Sequence, residues 1–157
     1  MQTFLPYPDF ETSAQALDDR RLGKQRVEAL QIVRALTRPV YGWKHHPAVV
    51  MWRGHEEALG TYGLTVCREW CRRSHVDTCA TTIVADLAAA GVRTPPRPQD
   101  ELRRAGALPS WLGDEAFHRS HRSALLRKDP AHYAGRFHDV PDDLAYVWPG
   151  VPDATSA

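Results

Sequence analysis

The chain has 157 residues, 43% hydrophobic and 25% charged, which is enough apolar material for one real core and too much for a disordered segment. No apolar run approaches the ~20 residues that span a bilayer, and the start lacks a basic-then-apolar leader, so the expected location is the cytoplasm. With a net charge of +1, the whole-molecule field does not attract a polyanion; any such contact must come from local clustering.

Met1 to Phe10, with Pro6 and Pro8, reads as an extended lead-in. Thr12 or Ser13 is the expected cap of a first helix running to about Thr37, where Arg38-Pro39 ends it. Within it lies the stretch LDDRRLGKQRVEALQIVRAL, Leu17 to Leu36. Stepping 100° per residue from Leu22 puts Ala29, Val33 and Leu36 within about 40° of it, with Ile32 and Leu30 at the flanks. Arg21, Lys24 and Glu28 gather on a second, polar face at helix-neighbour spacing. That is one carboxylate with two cations on its N-terminal side. By spacing alone, a solvated face held by weak ion pairs accounts for it. Gly23 costs the helix about 1 kcal/mol relative to Ala and marks a candidate close backbone approach.

Pro39 to Pro47, PVYGWKHHP, is a connecting loop rich in the side chains that stack on bases and touch phosphates. Tyr41 and Trp43 there serve equally well as plugs at the edge of the core. A helical stretch from Pro47 to Ser74 follows, with Gly54, Gly60 and Gly63 as candidate breaks. Asp77 to Ala90 is a third amphipathic helix ended by Gly91. After a proline-rich loop come a short helix over Gln99 to Ala105 and a turn through Pro109 and Gly113. Asp114 is the expected cap of a helix to Lys128, stopped by Asp129-Pro130. One or two turns to Phe137 precede an irregular tail from Val140, with Tyr146 and Trp148 available to pack back. No strand alternation or repeat interrupts this pattern, so the class is all-α. One domain over residues 1–150 and a tail over 151–157 are expected.

Cys67, Cys71, His75 and Cys79 form a C-x₃-C-x₃-H-x₃-C series that invites zinc. On a continuous helix the outer pair would stand roughly 18 Å apart along the axis. Tetrahedral zinc could then take at most two of them, or three if the helix broke near Ser74. Buried free thiols account for them better, an odd and bunched set being typical of a reducing compartment. No metal and no cofactor are expected.

Between Phe117 and Phe137 there are four Arg, one Lys and three His against the single acid Asp129. Within it, HRSHRS repeats a triplet at three-residue spacing, bringing His118 near His121 and Arg119 near Arg122, with Ser120 between. Hydroxyl, guanidinium and imidazole donors in such density suit phosphate oxygens. A polar helix face is the equal alternative.

Three blocks in order, LDDRRLGKQRVEAL, GWKHHPAVVMW and SHRSALLRKDPAHY, resemble the pyrimidine-dimer DNA glycosylase family, of which the phage endonuclease V type is the best known, in the pattern of a bacterial subgroup. The resemblance implies a compact helical fold that binds kinked duplex DNA and extrudes a nucleotide; the chain is expected to act as a monomer. It places Glu28 as the catalytic carboxylate. The family's basic residue just before that glutamate is Val27 here, and Lys24, one turn earlier, can supply the charge. In the phage type an α-amino group attacks the sugar carbon. Gln2 is too bulky for routine removal of the initiator methionine, so the amine here belongs to Met1. Because the lead-in to the glutamate is longer, the expectation is that water completes base release and the coupled strand-cutting (lyase) step is weak or lost.

The expected activity is therefore release of a damaged or modified pyrimidine base by Glu28, with Lys24 and Met1 as its partners. The expected DNA contacts are Arg20, Arg21, Trp43, Lys44, His45, His46, His118, Arg119, Ser120, His121, Arg122 and Lys128. Two other readings fit the same composition: a non-catalytic nucleic-acid-binding module of the same fold, and a helical protein-interaction domain.

Overall fold

Two aspartates start the first two helices. The computed structural model describes residues 1–151, so positions 152–157 of the expected tail lie outside them. Asp9 caps α1 (Phe10–Ala16), its carboxylate accepting the Thr12 N–H at 2.7 Å. Asp18 caps α2 (Asp19–Thr37), accepting the Arg21 N–H at 3.3 Å. Each cap satisfies a donor the helix cannot, a contribution of about 1 kcal/mol. The single helix expected from Thr12 or Ser13 to Thr37 is therefore two. Leu17 leaves the helical region with ψ 141° and is wholly buried, so the chain turns to sink Leu17 while Asp18 restarts the helix.

The other helices follow the punctuation read from the sequence. They are α3 (Pro47–Val50), α4 (Glu56–Arg72), α5 (Cys79–Ala89), α6 (Gln99–Arg104), α7 (Glu115–Lys128) and α8 (Pro130–Tyr133). The break between α3 and α4 comes at Gly54, whose φ of +82° suits a residue without a Cβ. Gly60 and Gly63 do not break α4. They are contact points, since a Cβ on Gly60 would stand 2.5 Å from Leu87 Cδ1 and one on Gly63 3.0 Å from Ile83 Cδ1. Asp114 caps α7 as expected, accepting the Ala116 N–H at 3.0 Å.

α2 runs through the middle, packed on α4 and α5, with α1 against α4. Leu22, Ala29, Ile32 and Val33 face inward and are completely buried. Leu36, expected with them, is only half-buried, and Ala35 takes its place inside. Gly23 admits the Trp70 ring, 3.0 Å from where a Cβ would sit. The lead-in is extended, as read, but it is interior: Gln2 to Pro6 are all buried. Among the described residues there is no strand, and no helix is long and apolar enough to cross a membrane. The all-helical fold is the one the resemblance implies.

Candidate active site

Burying an extended segment obliges its backbone groups to find partners away from water. In this chain the partners are side chains. The Phe4 N–H donates to Gln25 Oε1 at 2.8 Å, and the Tyr62 hydroxyl stands 2.9 Å from the Phe4 carbonyl oxygen. His121 Nδ1 accepts the Leu5 N–H at 3.0 Å, and His118 Nδ1 meets the Leu5 carbonyl at 2.8 Å. Arg122 Nη1 donates to the Pro6 carbonyl at 2.8 Å, and Trp52 Nε1 to Thr3 Oγ1 at 2.9 Å. α2, α4 and α7 thus clamp the lead-in and deliver its first residues to the side of α2.

There they close a cavity of about 310 Å³, lined by Met1, Gln2 and Phe4, by Arg20, Arg21, Lys24, Gln25 and Glu28 of α2, by Lys128 at the end of α7, and by Tyr146 of the tail. Its size is at the lower end of the range for small-ligand sites. Among its lining residues Glu28 is the one carboxylate, facing four side-chain cations and the Met1 amine.

Glu28 is 7% exposed, so the solvated-face alternative fails at this residue. Gln25 Nε2 donates to Glu28 Oε2 at 2.8 Å, and Lys24 Nζ stands 3.7 Å from Oε1 with its side chain 72% exposed. Arg21 is committed elsewhere: its guanidinium binds Asp18 at 3.1 Å and the Lys128 carbonyl at 3.2 Å, with Asp129 at 3.6 Å. It fastens the start of α2 to the end of α7 and lends its charge to the cavity wall. The Tyr133 hydroxyl, 2.5 Å from Asp18 Oδ1, completes that junction. Burial opposes ionisation of Asp18, yet the bonds from Tyr133 and Arg21 hold its carboxyl below the usual range.

The loop expected to carry DNA contacts borders this site without lining it. His46 caps α3, its Nδ1 accepting the Ala48 N–H at 3.1 Å. Burial lowers its pKa, the positive amino terminus lowers it further, and Glu28 opposes both. A charge-neutral imidazole therefore stands within electrostatic reach of both the amine and the carboxylate. Trp43 meets its ring edge-on at 5.9 Å and is 62% exposed, on a left-handed backbone of φ +70°. His46 in turn meets Trp148, and Trp148 meets Tyr146 of the cavity wall. His45 is exposed, and Lys44 Nζ donates to the Arg38 carbonyl.

The HRSHRS segment departs from expectation. His118, Ser120, His121 and Arg122 are buried, the two histidines and Arg122 because the lead-in needs their donors and acceptors. Ser120 Oγ donates to the Phe117 carbonyl and accepts the Val147 N–H. Arg122 is also paired with Glu115 and Asp139, leaving it no free charge for a phosphate. Arg119 stays near the surface but donates to the Asp139 carbonyl at 2.8 Å. The repeat is an internal scaffold, and of this block only Lys128 reaches the cavity.

The cysteines also have a structural account. Ser74 does break the chain after α4, with φ +68°, and Cys67 and Cys79 lie in the core, where burial pushes both thiols up. Cys71, expected to be buried with them, is exposed in the last turn of α4. Among the described residues no group of three or more His, Cys, Asp or Glu could hold a metal ion.

Sequence reading passed over Gln25, Gln2 and Phe4, and placed Tyr146 in the packing only. Gln25 had a signal: it lies about 60° from Leu22 on the helix wheel, between the apolar stripe and Glu28. A polar residue in that position has to be satisfied from inside.

A family model described as pyrimidine dimer DNA glycosylase matches residues 1–82. No curated protein and no solved structure matches the chain. The matched region holds the lead-in, α2 and α4, and hence every lining residue except Lys128 and Tyr146. With just over half of its length covered, the chain belongs to the pyrimidine dimer DNA glycosylase family.

Proposed function

We propose that the protein is a DNA N-glycosylase that releases a damaged or modified pyrimidine from duplex DNA, with Glu28 as the catalytic carboxylate and the α-amine of Met1 as nucleophile. The observation that carries the reading is that Met1 and Glu28 line one basic cavity. The longer lead-in was grounds for assigning the final step to water. Its burial as an extended segment argues the other way, because it leads Met1 back to α2.

The chemistry follows from the charges. Attack of the neutral amine on the sugar C1′ forms a carbon–nitrogen bond as the glycosidic bond breaks, and the departing base takes the electron pair. Positive charge grows on the sugar in that step, and an ionised Glu28 stabilises it. Glu28 also accepts the proton the attacking amine gives up. The nitrogen lone pair then opens the ring as the C1′–O4′ bond breaks, the ring oxygen taking the electron pair and the proton held by Glu28, which leaves a protonated imine between Met1 and the sugar, the species from which strand cleavage proceeds. An α-amine, ordinarily near 7.7–8.0, is far more available as free base at neutral pH than a lysine near 10.4. Arg20, Lys24 and Lys128 supply the phosphate contacts. The exposed Trp43 is suited to stack on a base as the nucleotide is extruded, which offsets part of a cost of a few kcal/mol.

The test is base release from duplex oligonucleotides that carry pyrimidine dimers or single modified pyrimidines. Release by the wild type that disappears in Glu28→Gln, with DNA binding retained, is the expected result. Binding without release from any substrate would favour the non-catalytic module instead.

A further inference from the structure

Gln25 lies between the two reacting groups and touches the framework of both. The geometry points to a positioning role: we infer that Gln25 locks the Glu28 carboxylate and the segment bearing the Met1 amine into one rigid unit. The inference rests on the glycosylase reading for its functional meaning and on hydrogen-bond direction for its physical basis.

An amide side chain has one acceptor end and one donor end. The Phe4 N–H can only donate, and it faces Gln25 Oε1 at 2.8 Å. Flipping the amide would set an NH₂ against that N–H and the amide oxygen against Glu28 Oε2, leaving a buried donor without its acceptor and a buried carboxylate oxygen without its donor, at a cost of about 1–3 kcal/mol for each group. The Tyr62 hydroxyl, 2.8 Å from the same oxygen and 2.9 Å from the Phe4 carbonyl, has one proton to give and can also accept, so it suits either orientation of the amide. The orientation is thus set by the lead-in, and it sends Nε2 to Glu28 Oε2 at 2.8 Å. With Oε2 held, the carboxylate keeps a fixed rotation, and Oε1 is the oxygen beside Lys24 at 3.7 Å. Gln25 is itself 1% exposed, so water does not compete for either end.

The consequence is a distance constraint. Phe4 is three residues from Met1, and the segment between them is buried, the Thr3 N–H donating to Gln2 Oε1 and the Thr3 hydroxyl accepting from Trp52 Nε1. A displacement of the carboxylate is passed through Gln25 to the lead-in, and the reverse. Catalysis by an amine and a carboxylate requires that their separation be kept, since a misplacement of about 1 Å can cost about 10²-fold in rate.

Two variants and one measurement without substrate test this. Gln25→Met keeps the bulk and removes both hydrogen bonds. Its kcat should fall about 10²-fold, with KM within about threefold of wild type. Gln25→Glu keeps the acceptor for Phe4 but sets a second carboxyl against Glu28. The two then hold one proton between them, and activity should fall away on the alkaline side at a lower pH than in wild type. The charged or titratable groups facing this pair are Arg20, Arg21 and Lys24 of α2, Lys128 of α7, Tyr62 of α4, His46 of α3, Tyr146 of the tail and the Met1 amine, and all remain in both variants. A Gln25 that only fills space would give a pH profile parallel to wild type and a kcat unchanged per folded molecule, which would overturn the inference. Independently of any activity, amide hydrogen exchange at Phe4 should quicken about tenfold or more in Glu28→Ala, because freeing Gln25 loosens its grip on the lead-in. Exchange at Phe4 that ignores Glu28 would overturn the coupling even if base release is confirmed. Faster exchange in a protein that releases no base would uphold the coupling and refute the glycosylase reading alone.

Discussion

The Leu5 N–H donates to Nδ1 of His121 at 3.0 Å, and a nitrogen that accepts a hydrogen bond cannot carry a proton. The buried imidazole is therefore neutral. Burial, with the nearby His118, pushes its pKa down to about 3. His118 is neutral for a related reason, one nitrogen meeting the Leu5 carbonyl and the other accepting the Gly113 N–H. The unfolded chain binds protons at both residues below about 6.5, and the folded chain does not. Stability is full above that pH and is lost as pH falls. Unfolding midpoints measured from pH 7 to pH 5 should drop, with His121 contributing on the order of 1 kcal/mol per pH unit. In His121→Asn, whose amide oxygen can still accept the Leu5 N–H, the drop should be shallower. An equally steep fall in that variant would remove His121 from the explanation.

Phosphate binding should divide the basic residues differently from their order in the sequence. Arg20→Ala and Lys128→Ala should each flatten the salt dependence of duplex binding by about one unit, equally for all sequences. Arg122→Ala should leave that slope alone and destabilise the fold by about 1–3 kcal/mol, since it strips the Pro6 carbonyl of its donor. A reduced slope in Arg122→Ala would restore the surface role first read from its spacing.

The reason that spacing misled is physical. HRSHRS has the composition of a phosphate-binding face, and composition cannot tell whether the polar groups meet solvent or a buried backbone. What calls them inward is the extended lead-in 116 residues away in sequence for His121 and for Arg122. Local signals served better: Asp114, Gly54, Gly91 and Asp129-Pro130 each end or begin an element where capping and turn chemistry says they should. The break at Leu17 escaped because the apolar rhythm continues across it. Glu28 and its cations were legible as a helix face, whereas the partner that fixes Glu28, Gln25, takes its meaning from Phe4.

The packing of α4 on α5 offers a check on the fold itself. Gly60→Ala would bring a methyl to within 2.5 Å of the buried Leu87 Cδ1. Overpacking of this kind costs about 1–3 kcal/mol, and the loss should appear as a lower denaturation midpoint with an unchanged m-value. No loss would mean that α5 does not press on α4 at Gly60.

Base release should depend on Glu28 far more than on its exposed neighbour. Glu28→Gln should lower the rate of release by about 10²–10⁴-fold at constant affinity for DNA. Lys24→Ala should mainly weaken binding, because a side chain 72% exposed and 3.7 Å from the carboxylate makes only a weak ion pair.

The most direct measurement is borohydride reduction during turnover on a duplex carrying a pyrimidine dimer or modified pyrimidine, followed by peptide mapping. Reduction fixes an imine as a stable amine and so records which nitrogen attacked the sugar. The expected result is a covalent protein–DNA adduct on the α-amine of Met1, formed by wild type and lost in Glu28→Gln. Base release with no adduct, the strand being cut only by later alkali, would contradict it and assign the final step to water.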